Sequence, residues 1–358
     1  MEIYRAALIG CSRMGAFIDN EVPKERGPYS HAAGYEACER TRMVACSDLR
    51  EEVMEEVGLR YGVPKENQYV DYKEMIDKEQ PEIVSVATQP EHRAEIVIYA
   101  AEHGARAIYA EKAMAASMEE ADAMVEAVER NNVFFNLGTN RRWDPGYDAM
   151  KDVVDSGRIG ALKTVISHVT GTLFNTASHI FDLLVRLNSD DPVAWVQAHL
   201  PNGDDVIDGD RLTEDPTGHG FLQFKNGVMG YALNSGRGLE VEAVGEHGVV
   251  TALAPDSEWQ VRERGGKDDR GRDLLKIGAF PAFEKASSTQ RLIEDLVHAL
   301  DTGEPTRCGV RVARANNELI FAFVESHVRG GARVDLPLEG SRFYLKRERG
   351  AQQPKYQR

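Results

Sequence analysis

The chain is poor in the residues that would mark several common protein classes. It has only four cysteines in 358 residues, Cys11, Cys38, Cys46 and Cys308, with no Cys-x-x-Cys and no Cys/His cluster. That excludes a disulfide scaffold and a thiolate metal site, and it predicts four buried apolar thiols in a reducing compartment. Positive charge is in deficit: 43 Lys and Arg stand against 58 Asp and Glu, a net charge of -15. A surface of that sign repels phosphate backbones and anionic lipid, so nucleic acid and membrane surfaces are excluded as partners. No stretch approaches the ~20 consecutive apolar residues that cross a bilayer. Met1 runs almost directly into the strand-like YRAALIG with no basic, leader-like segment, which predicts a cytoplasmic protein. Internal repeats and low-complexity tracts are missing as well.

What is present reads in two grammars. Up to residue 140, short β-rich runs alternate with amphipathic helical patterns, as in βαβ units on a parallel sheet. The strands are predicted at 4–10, 43–48, 68–71, 82–88, 106–112 and 133–139. Helices between them include EHRAEIVIYAAEHG and SMEEADAMVEAVERN, the latter opened by Ser117 with Glu120 three residues on, a capping box. From 141 to 358 longer strands dominate: LKTVISHVTG, AWVQAHL, GFLQFKNGVMGYALN and EVEAVGEHGVVTAL. Asn226-Gly227 lies between two apolar runs as a hairpin signal. Helices follow at about 285–301 and 310–328, and the chain closes with VDLPL and a polar tail read as mobile. The predicted architecture is an α/β Rossmann domain with a doubly wound parallel sheet over residues 1–140. A C-terminal α+β domain with a large open, mainly antiparallel sheet is predicted over 141–358. Alternating apolar residues in GFLQFKNGVMGYALN would leave one face of that sheet wet, which predicts a homo-dimer or homo-tetramer built through it.

The segment ALIGCSRMGAF, directly after the first predicted strand, has the spacing of a dinucleotide fingerprint, with Gly10 and Gly15 in place and Ser12 at the middle glycine. Serine is small enough to let the backbone approach a pyrophosphate, and its hydroxyl can donate to a phosphate oxygen. Asp48 closes the second strand, where a carboxylate accepts from an adenosine ribose and repels a 2′-phosphate. This favours NAD; Arg50, two residues on, keeps NADP open. The polar segment DNEVPKERGPYS (19–30) lengthens the usual Gly-to-acid spacing and is read as an insertion overhanging the cofactor.

Two further segments fall at the carboxyl edge of the predicted sheet. ATQPEH holds Thr88, Gln89 and His92; AEKAMAAS holds Glu111 and Lys112. A lysine partly desolvated beside a cationic nicotinamide has its pKa lowered enough to assist deprotonation of a hydroxyl. A surface lysine paired with Glu111 fits the position equally well. In GTLFNTASHIFDLLVRL, the residues Asn175, His179 and Asp182 are spaced i, i+4, i+7, so one continuous helix would stack them on one face. Histidine is suited to take a proton from an alcohol near neutral pH, though spacing alone fits a core histidine as well.

Taken together, ALIGCSRMG, the strand-ending Asp48, ATQPEHRAEIVIYAAEHG, AEKA, NRRWDPGYDAMKDVVDSGRIGALKTV, NTASHIFDLL and the segment from DLVHALDTGEP to VDLPL resemble the Gfo/Idh/MocA oxidoreductase family over nearly the full chain. The resemblance implies NAD(P)-dependent hydride transfer at a hydroxyl or keto carbon of a sugar, cyclitol or sugar derivative. It implies Lys112 and His179 as the catalytic pair, His179 as general acid/base and Lys112 holding the reacting oxygen. Two positions depart from the family pattern: Ala113 stands for the proline of Glu-Lys-Pro, and Asn175 for an aspartate. Candidate cofactor residues are Gly10, Ser12, Arg13, Met14, Gly15, Asp48, Leu49, Arg50, Thr88, Gln89, His92, Glu111 and Lys112. Candidate substrate residues are Lys112, Arg141, Arg142, Asn175, His179 and Asp182, one of the two arginines being free to pair with Asp144. No metal is implied. Two alternatives remain: a glycoside-cleaving enzyme working by transient oxidation and elimination, and a cofactor-binding relative without chemistry.

Overall fold

The computed structural model describes residues 2–23, 27–169, 171–348 and 353–357. Six short strands, β1 Tyr4–Ile9, β2 Thr41–Ser47, β3 Gln68–Tyr69, β4 Ile83–Val86, β5 Ala107–Ala110 and β6 Phe134–Leu137, form one sheet in the order β3-β2-β1-β4-β5-β6. Every pairing in it is parallel. The strands are near-continuous apolar runs because helices cover both faces: β4 and β5 are buried at every position. The connections carry α1 His31–Ala37, α2 Glu51–Tyr61, α3 Tyr72–Glu79, α4 Pro90–Glu102 and α5 Met118–Arg130. Their boundaries follow local chemistry. Pro90 opens α4, where its missing N–H costs nothing. Ser117 Oγ accepts the Glu120 N–H at 3.1 Å at the start of α5, and Glu120 Oε2 returns the bond to the Ala116 N–H at 2.8 Å. The order reverses between β1 and β4, so the carboxyl ends of these strands flank the switch point where open α/β sheets take ligands.

Two compact units divide the chain, and neither is contiguous. The first comprises residues 1–143, 286–314 and 346–358; the second comprises 144–285 and 315–345. The sequence-based division at 140 therefore needs correcting for two later segments. The helix α8 Ser288–Thr302 returns to the first unit because its apolar stripe, Leu292, Ile293, Leu296, Val297 and Leu300, belongs to the same buried cluster as β1, β4, β5 and β6. The tail also returns. Tyr356 packs edge-on against Phe17 with ring centroids 5.0 Å apart, and Lys355 O accepts from Asn20 Nδ2 at 2.6 Å. Residues 353–357 are thus docked rather than mobile; 349–352 lie outside the described residues.

In the second unit, α6 Pro145–Asp155 and α7 Ser178–Leu187 accompany a nine-stranded sheet. Its strands are β7 Leu162–Ser167, β8 Val193–His199, β9 His219–Phe224, β10 Met229–Ala232, β11 Val241–Gly245, β12 Gly248–Leu253, β13 Glu258–Lys267, β14 Asp273–Gly278 and β15 Val334–Asp335, ordered β14-β13-β12-β11-β7-β10-β9-β8-β15. Only β7 and β10 pair in parallel. The Asn226-Gly227 turn joins β9 to β10, with Gly227 at a φ of 89° and Asn226 Oδ1 accepting the Val228 N–H at 3.1 Å. The charged stretch 262–273, which has no assigned element in the sequence reading, runs along β13 and turns into β14. The helix α9 Val310–Val328 contains the division between units, and in the second unit its Phe321 and Phe323 meet Phe174 and Phe181.

Candidate active site

The turn after β1 is built from backbone sterics. Gly10 has a φ of 88°, in the left-handed region open to glycine, and its N–H donates to Ser47 O at 2.8 Å. Gly15 lies so close to it that an added Cβ would sit 2.0 Å from Gly10 O. Between them the chain enters a single wide helical turn, Arg13–Phe17, which places Arg13 and Met14 at its start. Arg13 Nε pairs with Glu21 Oε2 at 2.9 Å.

Asp48, just past β2, ties this turn to the second strand. Its Oδ2 accepts the Cys11 N–H at 2.9 Å, and its Oδ1 accepts the Arg50 N–H and Arg50 Nε at 3.1 and 3.2 Å. The Arg50 guanidinium also donates to Ser12 Oγ. Ser12, Asp48 and Arg50 thus form one polar network around the turn, and serine at the middle glycine position serves as an anchor for Arg50. Leu49, beside it, is 86% exposed. The insertion after the turn folds onto α8. Asp19 caps the Tyr29 and Ser30 N–H groups at 2.7 and 3.0 Å, while Ser287 and Thr289 donate to Pro28 O and Tyr29 O. Residues 24–26 of it lie outside the described residues.

At the carboxyl edge, the loops after β4 and β5 are held together by a residue the sequence reading missed. Arg93, on the first turns of α4 and 1% exposed, donates to both Thr88 O and Ala113 O. Burial pushes its guanidinium down to about 10, still charged at neutral pH. Its sequence context, inside an amphipathic helix, marks it as a solvated residue, so only tertiary structure could show the clasp. Thr88 Oγ1 is buried and makes no hydrogen bond among the described residues. Gln89 Oε1 accepts from Arg347 at 3.0 Å, and His92 is exposed. Lys112, half-buried, is the second residue past β5. Glu111 is turned inward instead of toward solvent: it is 5% exposed, and its carboxylate accepts from the Lys112 N–H. Burial raises the Glu111 carboxyl, but the His31 hydrogen bond and the charges of His31, Lys112 and Arg93 outweigh it and hold it below its ordinary value.

After β6, Arg141 is half-buried and Arg142 is buried, donating to Arg307 O at 3.2 Å. Asp144 caps α6 through the Gly146 and Tyr147 N–H groups. In the second unit, His179 is the second residue of α7 and partly exposed. The expectation of one shared face with Asn175 and Asp182 needs correcting. Asn175 lies in a wide turn, Leu173–Ala177, whose angular step per residue is smaller than that of an α-helix. Asn175 is consequently exposed and Asp182 buried. A second missed residue shapes this turn: Asp215, in the acidic loop 202–218, accepts the Phe174 and Asn175 N–H groups at 2.9 and 3.1 Å.

These residues fit a dinucleotide. The Gly10–Gly15 approach leaves backbone room where a Cβ would intrude, a carboxylate stands just past β2, where a ribose would be read, an exposed leucine lies beside it, and Thr88 offers an unused hydroxyl at the switch-point edge.

Comparison with known proteins agrees. Residues 4–139 match the model of the oxidoreductase family described as having an NAD-binding Rossmann fold. The chain is 24% identical over 271 residues to a myo-inositol 2-dehydrogenase of Thermotoga maritima, covering 69% of this chain and 75% of that one. It is 32% identical over 158 residues to a D-apiose dehydrogenase of Paraburkholderia graminis, covering 44% of this chain and 38% of that one. A levoglucosan dehydrogenase solved with NADH and L-sorbose shares the fold, with a TM-score of 0.74 and 22% identity over 94% of this chain and 100% of that one. Residues 4–139 thus form an NAD-binding Rossmann domain similar to that of the Gfo/Idh/MocA oxidoreductases, and the rest of the chain shares the fold of a solved member of that kind.

Proposed function

We propose that the protein moves a hydride between NAD and a hydroxyl or keto carbon of a sugar, cyclitol or sugar derivative, with Lys112 and His179 handling the proton. The observation that carries this reading is the placement of Lys112: half-buried, two residues past β5, on a loop locked to the segment after β4 by Arg93. The named activities of the inositol and apiose dehydrogenases support the substrate class. When bound, the nicotinamide supplies the hydride acceptor. The Lys112 ammonium holds the reacting oxygen and favours its alkoxide character, and the His179 imidazole takes the hydroxyl proton as the C–H bond breaks. Arg141 and Asn175 supply hydrogen bonds to neighbouring hydroxyls; Arg142 and Asp182 are buried, and Arg142 is held by Arg307 O.

Asp48 favours the unphosphorylated ribose, and its grip on Arg50 Nε keeps that guanidinium beside the carboxylate. NAD is accordingly the proposed cofactor, with NADP the weaker one. In the second unit, Trp195, Phe221 and Tyr231 form a partly exposed ladder across β8, β9 and β10, with centroids 5.8 and 6.1 Å apart. This favours a homo-oligomer built on that sheet. Sedimentation showing only a 39.8 kDa species at micromolar concentration would refute that. No helix among the described residues is long and apolar enough to cross a membrane. The four buried cysteines, none in a disulfide, suit the cytoplasm.

The test is incubation with NAD and a panel of inositols, pentoses, hexoses and glycosides. Net NADH from at least one free polyol is expected. Release of aglycone without net NADH would instead identify transient oxidation and elimination, and NADH binding with no reaction across the panel would leave a cofactor-binding protein.

A further inference from the structure

Behind Lys112 lies a buried polar chain to which the proposed chemistry assigns no part. His31, at the start of α1, is fully buried. Its ring lies flat on Tyr109, centroids 3.8 Å apart at an interplanar angle of 7°. Both ring nitrogens are used: Nδ1 is 2.7 Å from Ser85 Oγ and Nε2 is 3.2 Å from Glu111 Oε1. Tyr35 OH donates to Ser85 Oγ at 3.0 Å. Donor counting then fixes the direction. The Glu111 carboxylate can only accept, so His31 Nε2–H donates to its Oε1 and the Lys112 N–H to its Oε2 at 3.2 Å, while His31 Nδ1 and Tyr35 OH share the Ser85 hydroxyl.

The chain therefore runs from α1 across β4 to the peptide of Lys112. Every element around the Glu111 carboxylate accommodates it. Arg93 of α4 and Lys112 contribute positive charge. Tyr109 stacks on its histidine partner, and after β6 the position opposite is Gly138, where a Cβ would be 2.9 Å from Glu111 Oε1. A carboxylate taken out of water is costly unless its lone pairs are filled by well-placed donors. Here the donors filling them are an imidazole and the peptide N–H of Lys112.

We propose that His31 and Glu111 form a positioning pair that fixes the Lys112 peptide and thereby aims the Lys112 side chain at the reacting oxygen. The inference rests on Lys112 being the catalytic lysine. The pair works as a carboxylate–imidazole brace whose far end is anchored by Ser85 and Tyr35. His31 directly follows the polar segment 19–30, as the first residue of α1.

The test compares His31→Leu, His31→Gln and Glu111→Gln with the wild-type protein. His31→Leu removes the donor to Glu111, whereas the amide of His31→Gln can still supply it. For His31→Leu and Glu111→Gln, kcat is expected to fall about ten- to a hundredfold while KM for NAD changes less than about twofold, the cost of a misplaced catalytic group. His31→Gln is expected to recover most of the loss. A readout free of turnover accompanies this: amide hydrogen exchange at Lys112, measured without cofactor, accelerates in His31→Leu and Glu111→Gln and stays slow in His31→Gln. Unchanged kcat and unchanged Lys112 exchange in a folded His31→Leu would overturn the proposal, as would equal losses in the leucine and glutamine variants. Should His31→Leu fail to fold, Glu111→Gln decides by the same two readouts. Lys112→Met separates the two levels: full activity in that variant sinks the reading of Lys112 as catalytic, while the amide exchange result still reports on the brace.

Discussion

Gly15→Ala and Gly62→Ala separate steric from conformational demand in the dinucleotide half of the protein. At position 15 a Cβ would lie 2.0 Å from Gly10 O and 3.0 Å from Gly10 C, and both are backbone atoms. Gly10 cannot withdraw. Its N–H is bonded to Ser47 O, and its own Cα faces the Ala87 carbonyl, with only 2.9 Å to Ala87 C for an added Cβ. Relief must come from moving the turn itself, at the cost of about 1–3 kcal/mol typical of overpacking. If the bound conformation of the turn carries that cost, NADH affinity falls about tenfold to a hundredfold, since every ~1.4 kcal/mol is a factor of ten. Gly62 is the control: it ends α2 at a φ of 71° with nothing within 4 Å of an added Cβ. Alanine there costs about 1–2 kcal/mol through backbone conformation alone and leaves NADH affinity unchanged. Urea unfolding and NADH fluorescence titration of both variants provide the readings. Wild-type NADH affinity in Gly15→Ala, or equal affinity losses in both, would refute the assignment of the turn as the pyrophosphate cradle.

Three other perturbations follow from the site. Arg93→Met strips the donor from Thr88 O and Ala113 O, about 1–3 kcal/mol for each buried acceptor left unsatisfied, partly offset by no longer burying a cation; urea unfolding should show lower stability, and a variant as stable as wild type would contradict the clasp. Asp48→Ala removes the proposed ribose acceptor and releases Arg50, so the NAD-to-NADP preference measured by competitive titration should shift toward NADP, and an unchanged ratio would argue against the network. The Glu111 carboxyl is held below its ordinary value, so its stabilisation is complete above that value and is lost as pH falls through the depressed one. Acid unfolding curves of Glu111→Gln should therefore lose part of the wild-type drop in that acid range, and superimposable pH dependences would count against a native ion pair there.

The sheet of the first unit was legible because buried parallel strands are continuous apolar runs, and the start of α5 was legible because Ser117 and Glu120 act through local chemistry. The Asn226-Gly227 hairpin was readable for the same reason: its turn type is decided by two residues. The edge hairpin β13–β14 was hidden, since β14 is solvent-exposed along nearly its whole length and shows no apolar alternation. The site was legible where single residues sit at strand ends, as with Asp48 and Lys112. It was opaque where function depends on contacts across the sequence. Arg93 reaches Ala113, His31 reaches Glu111 and Asp215 reaches Asn175, and nothing local to those residues announces the partner. The stacking of Asn175, His179 and Asp182 was misread because a wide turn interrupts the helical period just before α7.

The central claim is that hydrogen passes directly from a substrate carbon to the nicotinamide. It is tested most directly with a polyol substrate from the panel, deuterated at the reacting carbon and supplied with unlabelled NAD in ordinary water. Mass analysis of the NADH formed should show one deuterium per molecule, and Lys112→Met should slow its appearance about a hundredfold or more, in the range for lost acid/base catalysis. Deuterium found in solvent instead of NADH, or label transfer at the wild-type rate in Lys112→Met, would contradict the account.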